Sequence, residues 1–465
     1  MLAIDRSLTP TKLQRALDRF WDVSGQKIRL LGRAWNPRQG TPVFTVAGRY
    51  TSRGWTEWTQ GFQFGSALLQ YAATGETEAL AAGRTGTLRD MAAHVSAIGV
   101  HDHGFNNVST YGVLRQLALA GDYAADAGEI GWCELALKAS GAVQAARWTD
   151  LPDDLGYIYS FNGPHSLFAD TIRSLRSLAL AHQLGHALMG ERDRKISLLR
   201  RLCQHAETTA RYTVYHGKGR DAYDVRGRVA HESIFNVNDG SYRCPSSQQG
   251  YSPFTTWTRG LAWIICGYAE QLEFLATRSA DEFGGGAEKR RVLGFCLEAA
   301  RATADFYVEN TPTDGVPYWD TGAPGLPKLG RYLDRAADPF NDHEPVDSSA
   351  AAIAAQGFIR LGRYLASAGR RSEAGRYTGT GLTIARTLFD EPYLSTGPKH
   401  QGLLLHSVYH RPNGWDHVPK GRKVPCGEAC MWGDYHAREL AYLIQRMAAG
   451  KDYVFFGERK SRAAE

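Results

Sequence analysis

No apolar run in this chain of 465 residues is long enough to span a membrane. The opening residues, Met1 to Arg6, carry no basic region followed by an apolar stretch, so no secretory leader is expected in the chain as it stands. Cysteines are few and odd in number: Cys133, Cys203, Cys244, Cys266, Cys296, Cys426 and Cys430 are scattered, mostly in apolar helical contexts. That pattern excludes a disulfide framework and indicates free thiols in a reducing compartment. The cytoplasm is the expected location, and a periplasmic mature chain is compatible if a leader was removed. The net charge of +6 is mild for this length and is not clustered, so neither nucleic-acid nor membrane binding is indicated.

Aromatic residues, by contrast, are plentiful at 11%, with 11 Trp and 22 Tyr. Apolar residues recur at three- and four-residue spacing over twelve stretches: 10–24, 55–75, 77–97, 105–120, 122–148, 165–185, 190–214, 256–277, 287–310, 347–367, 371–391 and 432–449. Glycine-containing breaks separate them, as at Gly75 and Gly121. Successive short-linked helices are antiparallel neighbours, so twelve helices pair into six hairpins. Closed in a ring, they form an all-α (α/α)6 barrel, with inner helices around a central pocket. The long connections 217–255, 311–346 and 392–431 are of a length that usually serves function. Alternating stretches at 157–161, 229–237 and 403–410 predict a small antiparallel β decoration at one rim. No linker divides the chain, and a single domain over residues 1–465 is expected.

Gln249 to Trp263 is the segment richest in chemistry. Ser252 is placed to cap a helix and Pro253 to open it. Arg259 then lies early in that helix, where the dipole disfavours a cation unless an anion sits nearby. Trp257 and Trp263 have flat apolar faces suited to sugar rings, and arginine grips carboxylates bidentately. Together they suggest a pocket for an acidic sugar; the structural alternative is an aromatic core helix. Asp102, in Val100-His101-Asp102-His103-Gly104-Phe105, and Asp170, in Phe168-Ala169-Asp170-Thr171, each stand at a helix start. Each has the position of a simple N-cap. If both instead point into one pocket, they cannot both ionise easily, and one keeps a proton for general-acid work.

The chain resembles the unsaturated glucuronyl hydrolases through motifs that run in order from position 58 to 435. These are Trp58-Thr59-Gln60-Gly61-Phe62, His101 to Phe105, Asp170-Thr171, Gln249-Gly250-Tyr251 with Trp257 to Trp263, Asp347 to Ala352, Gly402 to His406, and Trp432-Gly433-Asp434-Tyr435. The resemblance implies a six-hairpin α/α barrel that uses no metal or cofactor. It implies a substrate ending in an unsaturated uronate, the product of a polysaccharide lyase. A carboxylic acid protonates C4 of the C4=C5 bond, water adds at C5, and the hemiketal collapses to release the remaining sugar. By the same resemblance Asp170 is the general acid and base, and Asp102 the partner that keeps it protonated. Trp58, Trp257 and Trp263 are stacking walls, Arg259 and Gln249 hold the uronate, and His231 hydrogen-bonds the sugar near C5. Read on its own, His231 is more simply a structural histidine in an apolar strand, and Asp347 a helix cap.

Two stretches depart from the family: Thr171 to Arg176, where a Met- and Asn-rich turn is usual, and Ser252 to Thr256, where acidic residues are usual. Arg173 reads as an exposed helix-face residue, with a sulfate or second uronate as its alternative partner. His406, His410, Cys426 and Cys430 have a spacing that zinc sites sometimes use, but the histidines read as strand ends and the Cys spacing is uncommon. Competing functions are a conventional glycosidase on a saturated uronide or rhamnoside, and a non-catalytic carbohydrate-binding barrel.

Overall fold

The computed structural model describes residues 1–54 and 58–457. All twelve expected helices are there among these residues, and they alternate between two rings. The outer helices are Gln14–Ala34, Thr77–Asp90, Ala127–Ala146, Leu198–Tyr212, Gly286–Glu309 and Arg371–Leu388. The inner helices are Gln60–Thr74, an interrupted helix over 103–119, a broken one over 171–183, Thr258–Thr277, Ser348–Ser367 and Met431–Ala448. Each inner helix packs on the next, and Met431–Ala448 returns to Gln60–Thr74, which closes the toroid. Burial marks the division. Every residue from Thr258 to Leu272, from Ser348 to Gly362 and from Met431 to Ile444 is buried, charged ones such as Glu270, Arg360 and Glu439 included. Outer helices such as Gln14–Ala34 carry one apolar stripe.

Most links from an inner to the next outer helix are short, as at 75–76 and 368–370, while that over 184–197 is longer and carries a small hairpin. Links from an outer to the next inner helix are long: 35–59, 147–170, 213–257, 310–347 and 389–430. The long links therefore gather at one rim, and all six inner N-termini face it. Most of the β structure lies in these links, as four separate antiparallel pieces. The hairpins are Pro42–Val46 with Arg49–Ser52, Trp148–Leu151 with Leu155–Ile158, and Leu188–Met189 with Lys195–Ile196; Ser166–Phe168, Glu232–Phe235 and Tyr242–Ser246 form a three-stranded sheet in that order. The Leu188–Met189 hairpin belongs to the opposite end. The expected strand over 403–410 is instead a loop held by isolated bridges, Leu394 to Leu404 and Leu405 to Ala429.

Some boundaries move for identifiable reasons. The first helix continues to Ala34, and the second begins only at Gln60; positions 55–57 lie outside the described residues. The stretch 165–185 opens as a strand, Ser166–Phe168, because Ser166 to Phe168 pairs with Glu232 to Ile234. The helix expected from Pro253 starts at Thr258. Ser252 folds a tight turn instead, its Oγ accepting from Phe254 N at 3.1 Å and its N–H donating to Thr255 Oγ1 at 3.2 Å.

Arg173 is neither exposed nor in the pocket: it is fully buried near the toroid axis. Its guanidinium meets Glu270 at 3.1 Å and Glu439 at 2.7 Å and also bonds His436. Arg176 stands 3.7 Å from Glu270 and 3.6 Å from Glu439, and Arg360 binds Glu273 at 2.8 Å. Burial alone would raise the Glu439 carboxyl, but the charges of Arg173 and Arg176 hold it well below its ordinary range. Breaking a buried pair from one side strands the other charge. Arg173→Leu is therefore expected to lower the unfolding free energy by about 3–5 kcal/mol, measured by urea denaturation.

Candidate active site

A cavity of about 570 Å³ opens at the rim where the long links gather, lined deep inside by His101, Asp102, Asp170, Trp257 and Trp263. Asp102 immediately precedes the helix His103–Asn107, and Asp170 the turn Thr171–Ser174; neither side chain makes a capping hydrogen bond. Both stand in the N-cap position without acting as caps, and both carboxylates are turned into the cavity. They come together because two inner helices approach closely. A Cβ on Gly104 would lie 2.4 Å from the Ser174 carbonyl oxygen, so only glycine fits there. Gly104 N donates to Ser174 Oγ at 2.9 Å, and Arg176 donates to the Gly104 carbonyl at 2.8 Å.

His101 joins the pair. Its Nε2 is 3.6 Å from Asp170 Oδ1 and 3.8 Å from Asp102 Oδ1, and the three groups offer atoms within 4.8 Å of one another. Burial pushes the Asp102 carboxyl up to about 6, against the pull of the His101 charge. Burial would raise Asp170 too, but the charges of His101 and His231 and the contact with His101 bring it below its ordinary value. Burial would lower His101, and the two carboxylates outweigh it and raise it. Of the two carboxyls, then, Asp102 is the one that keeps its proton to higher pH. The resemblance implied the reverse, a protonated Asp170 beside an ionised Asp102. The charge of His101, whose Nε2 stands 3.6 Å from Asp170 Oδ1, outweighs burial at Asp170 but not at Asp102.

His231 sits beside the triad, and its backbone carbonyl accepts from Ala169 N at 2.9 Å. Its Nδ1 accepts from Gln248 N at 3.0 Å, which assigns the ring proton to Nε2, an atom without a partner in the protein. Burial lowers its pKa to about 4, so it stays neutral as a donor. His103, in contrast, is structural, bonded to Ser140 and to the Ala97 carbonyl.

Arg259 lines the cavity, yet its guanidinium is committed to the protein. One nitrogen donates to Asp347 at 3.2 Å and to the Val408 carbonyl, and the other to Gln249 at 2.9 Å and to the Tyr409 carbonyl at 2.8 Å. It lies between the rings of Trp257, at 4.6 Å, and Trp432, at 4.9 Å. The anion demanded by a cation early in a helix is thus Asp347, which also caps Ser348–Ser367. The expected bidentate grip on a uronate would require Arg259 to release these partners. Trp257 and Trp263 are in the wall but only 3% and 1% exposed. Trp58 is half-buried and stacked 5.0 Å from Trp432. At the mouth stand Arg53, Tyr409, His410 and Trp415, and Arg53 lies 4.9 Å over the Trp415 ring. Of these four the sequence singled out only His410, and as a zinc-ligand candidate; His101 was not singled out, although its place beside Asp102 was a signal.

Among the described residues, His101, Asp102 and Asp170 are the one group with metal-ligand spacing. Here Nε2 stands in ion-pair range of both carboxylates, an arrangement that a proton satisfies. His406, His410, Cys426 and Cys430 are not gathered: His406 accepts from Gly427 N, and the Cys430 thiol from Gly433 N.

Fold and site together define a glycoside hydrolase built on an α/α toroid. No protein-family model matches the chain. It is similar to the unsaturated glucuronyl hydrolases. Such an enzyme from Bacillus sp. (strain GL1) is 25% identical over 412 residues, 88% of this chain and 91% of that protein. An unsaturated chondroitin disaccharide hydrolase from Streptococcus agalactiae serotype III (strain NEM316) is 26% identical over 209 residues, 45% of this chain and 42% of that protein. The solved structure of the Bacillus sp. GL1 enzyme matches with TM-score 0.70 at 21% identity, covering 96% of this chain and 99% of that one. An unsaturated glucuronyl hydrolase specific for heparin matches with TM-score 0.68 at 18% identity, covering 94% and 99%.

The raised Asp102 pKa has a consequence for stability. A carboxyl raised from 3.8 unfolded to about 6 folded stabilises the protein below pH 3.8, and that contribution is lost as pH rises through 6. Asp102→Asn removes the loss. The variant is expected to be more stable than the parent at pH 8, by up to about 3 kcal/mol, and to show no gain at pH 4. Thermal unfolding at the two pH values measures this.

Proposed function

We propose that this protein removes the terminal unsaturated uronate from lyase-generated acidic oligosaccharides, with residues 1–465 acting as one catalytic unit. The observation that carries the reading is the pair of carboxylates, Asp102 and Asp170, which stand at helix starts without capping them and meet at the floor of one cavity. In this reading Asp170 delivers the proton to C4. Water adds at C5, its proton returns to Asp170, and the hemiketal collapses and releases the remaining sugar. Asp102 is the partner that keeps Asp170 protonated for this step, and neutral His231 offers its Nε2 proton to the sugar. Arg259 serves as the frame that holds Gln249 and the 408–409 backbone against the ring. Trp58 and Trp415 are the partly exposed rings available for stacking. Six inner-helix N-termini directed at the rim favour an anionic ligand. The seven cysteines are all free, which supports a cytoplasmic site of action.

Incubation with a panel of unsaturated disaccharides should remove the ultraviolet absorbance of the conjugated double bond. Sugar release from saturated uronides with no such loss would mark a conventional glycosidase instead. Asp170→Asn should lower kcat by about 100-fold or more while leaving disaccharide affinity nearly intact, because the side chains are almost isosteric. Calorimetric binding alongside turnover separates the two effects, and retained turnover would refute the assignment of Asp170.

A further inference from the structure

The two carboxylates at the cavity floor do not touch through hydrogen bonds of their own. The group that stands in reach of both is His101, and it does so with a single atom, Nε2. The ring is 2% exposed, stacked on Phe161 at 6.3 Å and met edge-on by Phe168 at 5.6 Å. Neither of its nitrogens has a hydrogen-bond partner in the protein, and Asp170 Oδ1 is likewise buried and unpartnered. Buried imidazoles in folded proteins are almost always bonded at one nitrogen or both. His103, His205 and His231 in the same neighbourhood all obey that rule. His101 is the exception, and unsatisfied polar atoms held beside two carboxylates mark a place where a proton is exchanged.

We propose that His101 is the proton bridge of this site: its Nε2 passes a proton from Asp102 to Asp170 when the uronate binds. The proposal rests on the hydrolase reading above and assigns a role to a residue that reading leaves idle. The exchange balances on one nitrogen. When Nε2 bears a proton, it gives it to Asp170 Oδ1 and takes another from Asp102 Oδ1. The net result is one proton moved from Asp102 to Asp170, with the imidazole unchanged. Separations of 3.6 and 3.8 Å are long for such steps in an empty site, and catalytic contacts of this kind tighten when ligand is bound. The direction follows from electrostatics. Asp102 holds its proton to higher pH than Asp170, and an arriving uronate carboxylate excludes water and adds negative charge beside the pair, which raises the proton affinity of the ionised Asp170. The other ionisable groups facing His101 are Arg147 at the end of the outer helix Ala127–Ala146, His205 on Leu198–Tyr212, His231 on the neighbouring strand edge, and His103 on its own segment. Burial keeps those three histidines neutral near pH 7, and Arg147 is bonded to the carbonyls of Tyr159 and Ser160 at 3.0 and 2.6 Å. None of them stands between the carboxylates.

The test combines a variant with a measurement on the parent protein. His101→Gln keeps a polar side chain of similar length but cannot pass a proton. It is expected to lower kcat at least 10-fold with KM within about 3-fold, and to move the alkaline limb of the pH profile upward because the cation beside Asp170 is gone. His101→Gly supplied with free imidazole should recover part of the rate, with a pH dependence set by the added base. Unchanged kcat, or a lowered kcat with an unmoved pH profile and no imidazole rescue, would overturn the proposal. Independently of activity, the ring of His101 followed by NMR in isotope-labelled parent protein should titrate above 6.5, and its midpoint should fall in Asp102→Asn. A midpoint below 6.5, or one unmoved in Asp102→Asn, would also overturn it. Absence of turnover on every unsaturated disaccharide would instead refute the hydrolase reading, and the NMR titration would still report on the bridge.

Discussion

The site depends on one contact, Gly104 against Ser174. The backbone of one inner helix approaches the next to a distance that leaves no room for a Cβ, and hydrogen bonds on both sides of Gly104 fix the approach. Two residues before this contact stands Asp102, and four residues before Ser174 stands Asp170. Each precedes its helix, so each projects toward the rim. Because the helices cross where they begin, the carboxylates meet at one end of the crossing. Had the helices been separated by an ordinary side chain, the carboxylates would be separated too, and each would be free to cap its own helix. The loss of capping at both termini and the gain of a shared cavity are the same event.

Beneath that crossing the toroid axis is filled with ions. Arg173, Arg176 and Arg360 face Glu270, Glu439 and Glu273, three charges against three, all buried. A well-packed apolar plug would stabilise at least as well. An ionic plug differs in being directional, since each guanidinium has fixed bonding directions and ties together three inner helices. Arg173 also lies three residues beyond Asp170, and its guanidinium is 5.8 Å from the centre of the Trp263 ring, which lines the cavity. The wall around the carboxylates is thus continuous with a network whose geometry is set by charge pairing. The departure from the family's usual sequence at 171–176 falls on this network, away from the sugar.

The helices were legible because the inner and outer rings impose a strong apolar period, and the long loops because glycine and proline interrupt it. Asp102 and Asp170 were legible as candidates through their motifs. What was not legible depends on partners far away in sequence. Arg173 looked like a surface residue because Glu270 and Glu439 lie 97 and 266 positions away. Arg259 looked like a carboxylate clamp because its anion, Asp347, is 88 positions away. Ser252 and Pro253 carry real helix-start signals, but the chain uses them for a turn and begins the helix at Thr258, where Thr258 Oγ1 can reach the Tyr318 carbonyl. Local signals were read correctly as chemistry and wrongly as position. His101 was overlooked for a different reason: its importance lies in the bonds it does not make, and no sequence pattern records those.

The charge balance of the floor explains how a cavity built on two acids can admit a third. Below about pH 6, with Asp102 protonated, Asp170 ionised and His101 charged, the triad carries no net charge, and the six helix ends above it each contribute a fraction of a positive charge. A uronate carboxylate approaching the rim meets a neutral floor and a positive collar. If Asp102 were as acidic as a carboxyl in water, the floor would already be negative well below pH 6 and would repel the ligand across a few ångströms of low-dielectric wall. The burial that raises Asp102 therefore serves recognition as well as catalysis. A pocket charged in this way needs no free arginine at its base, and Arg259 is given over to holding the walls.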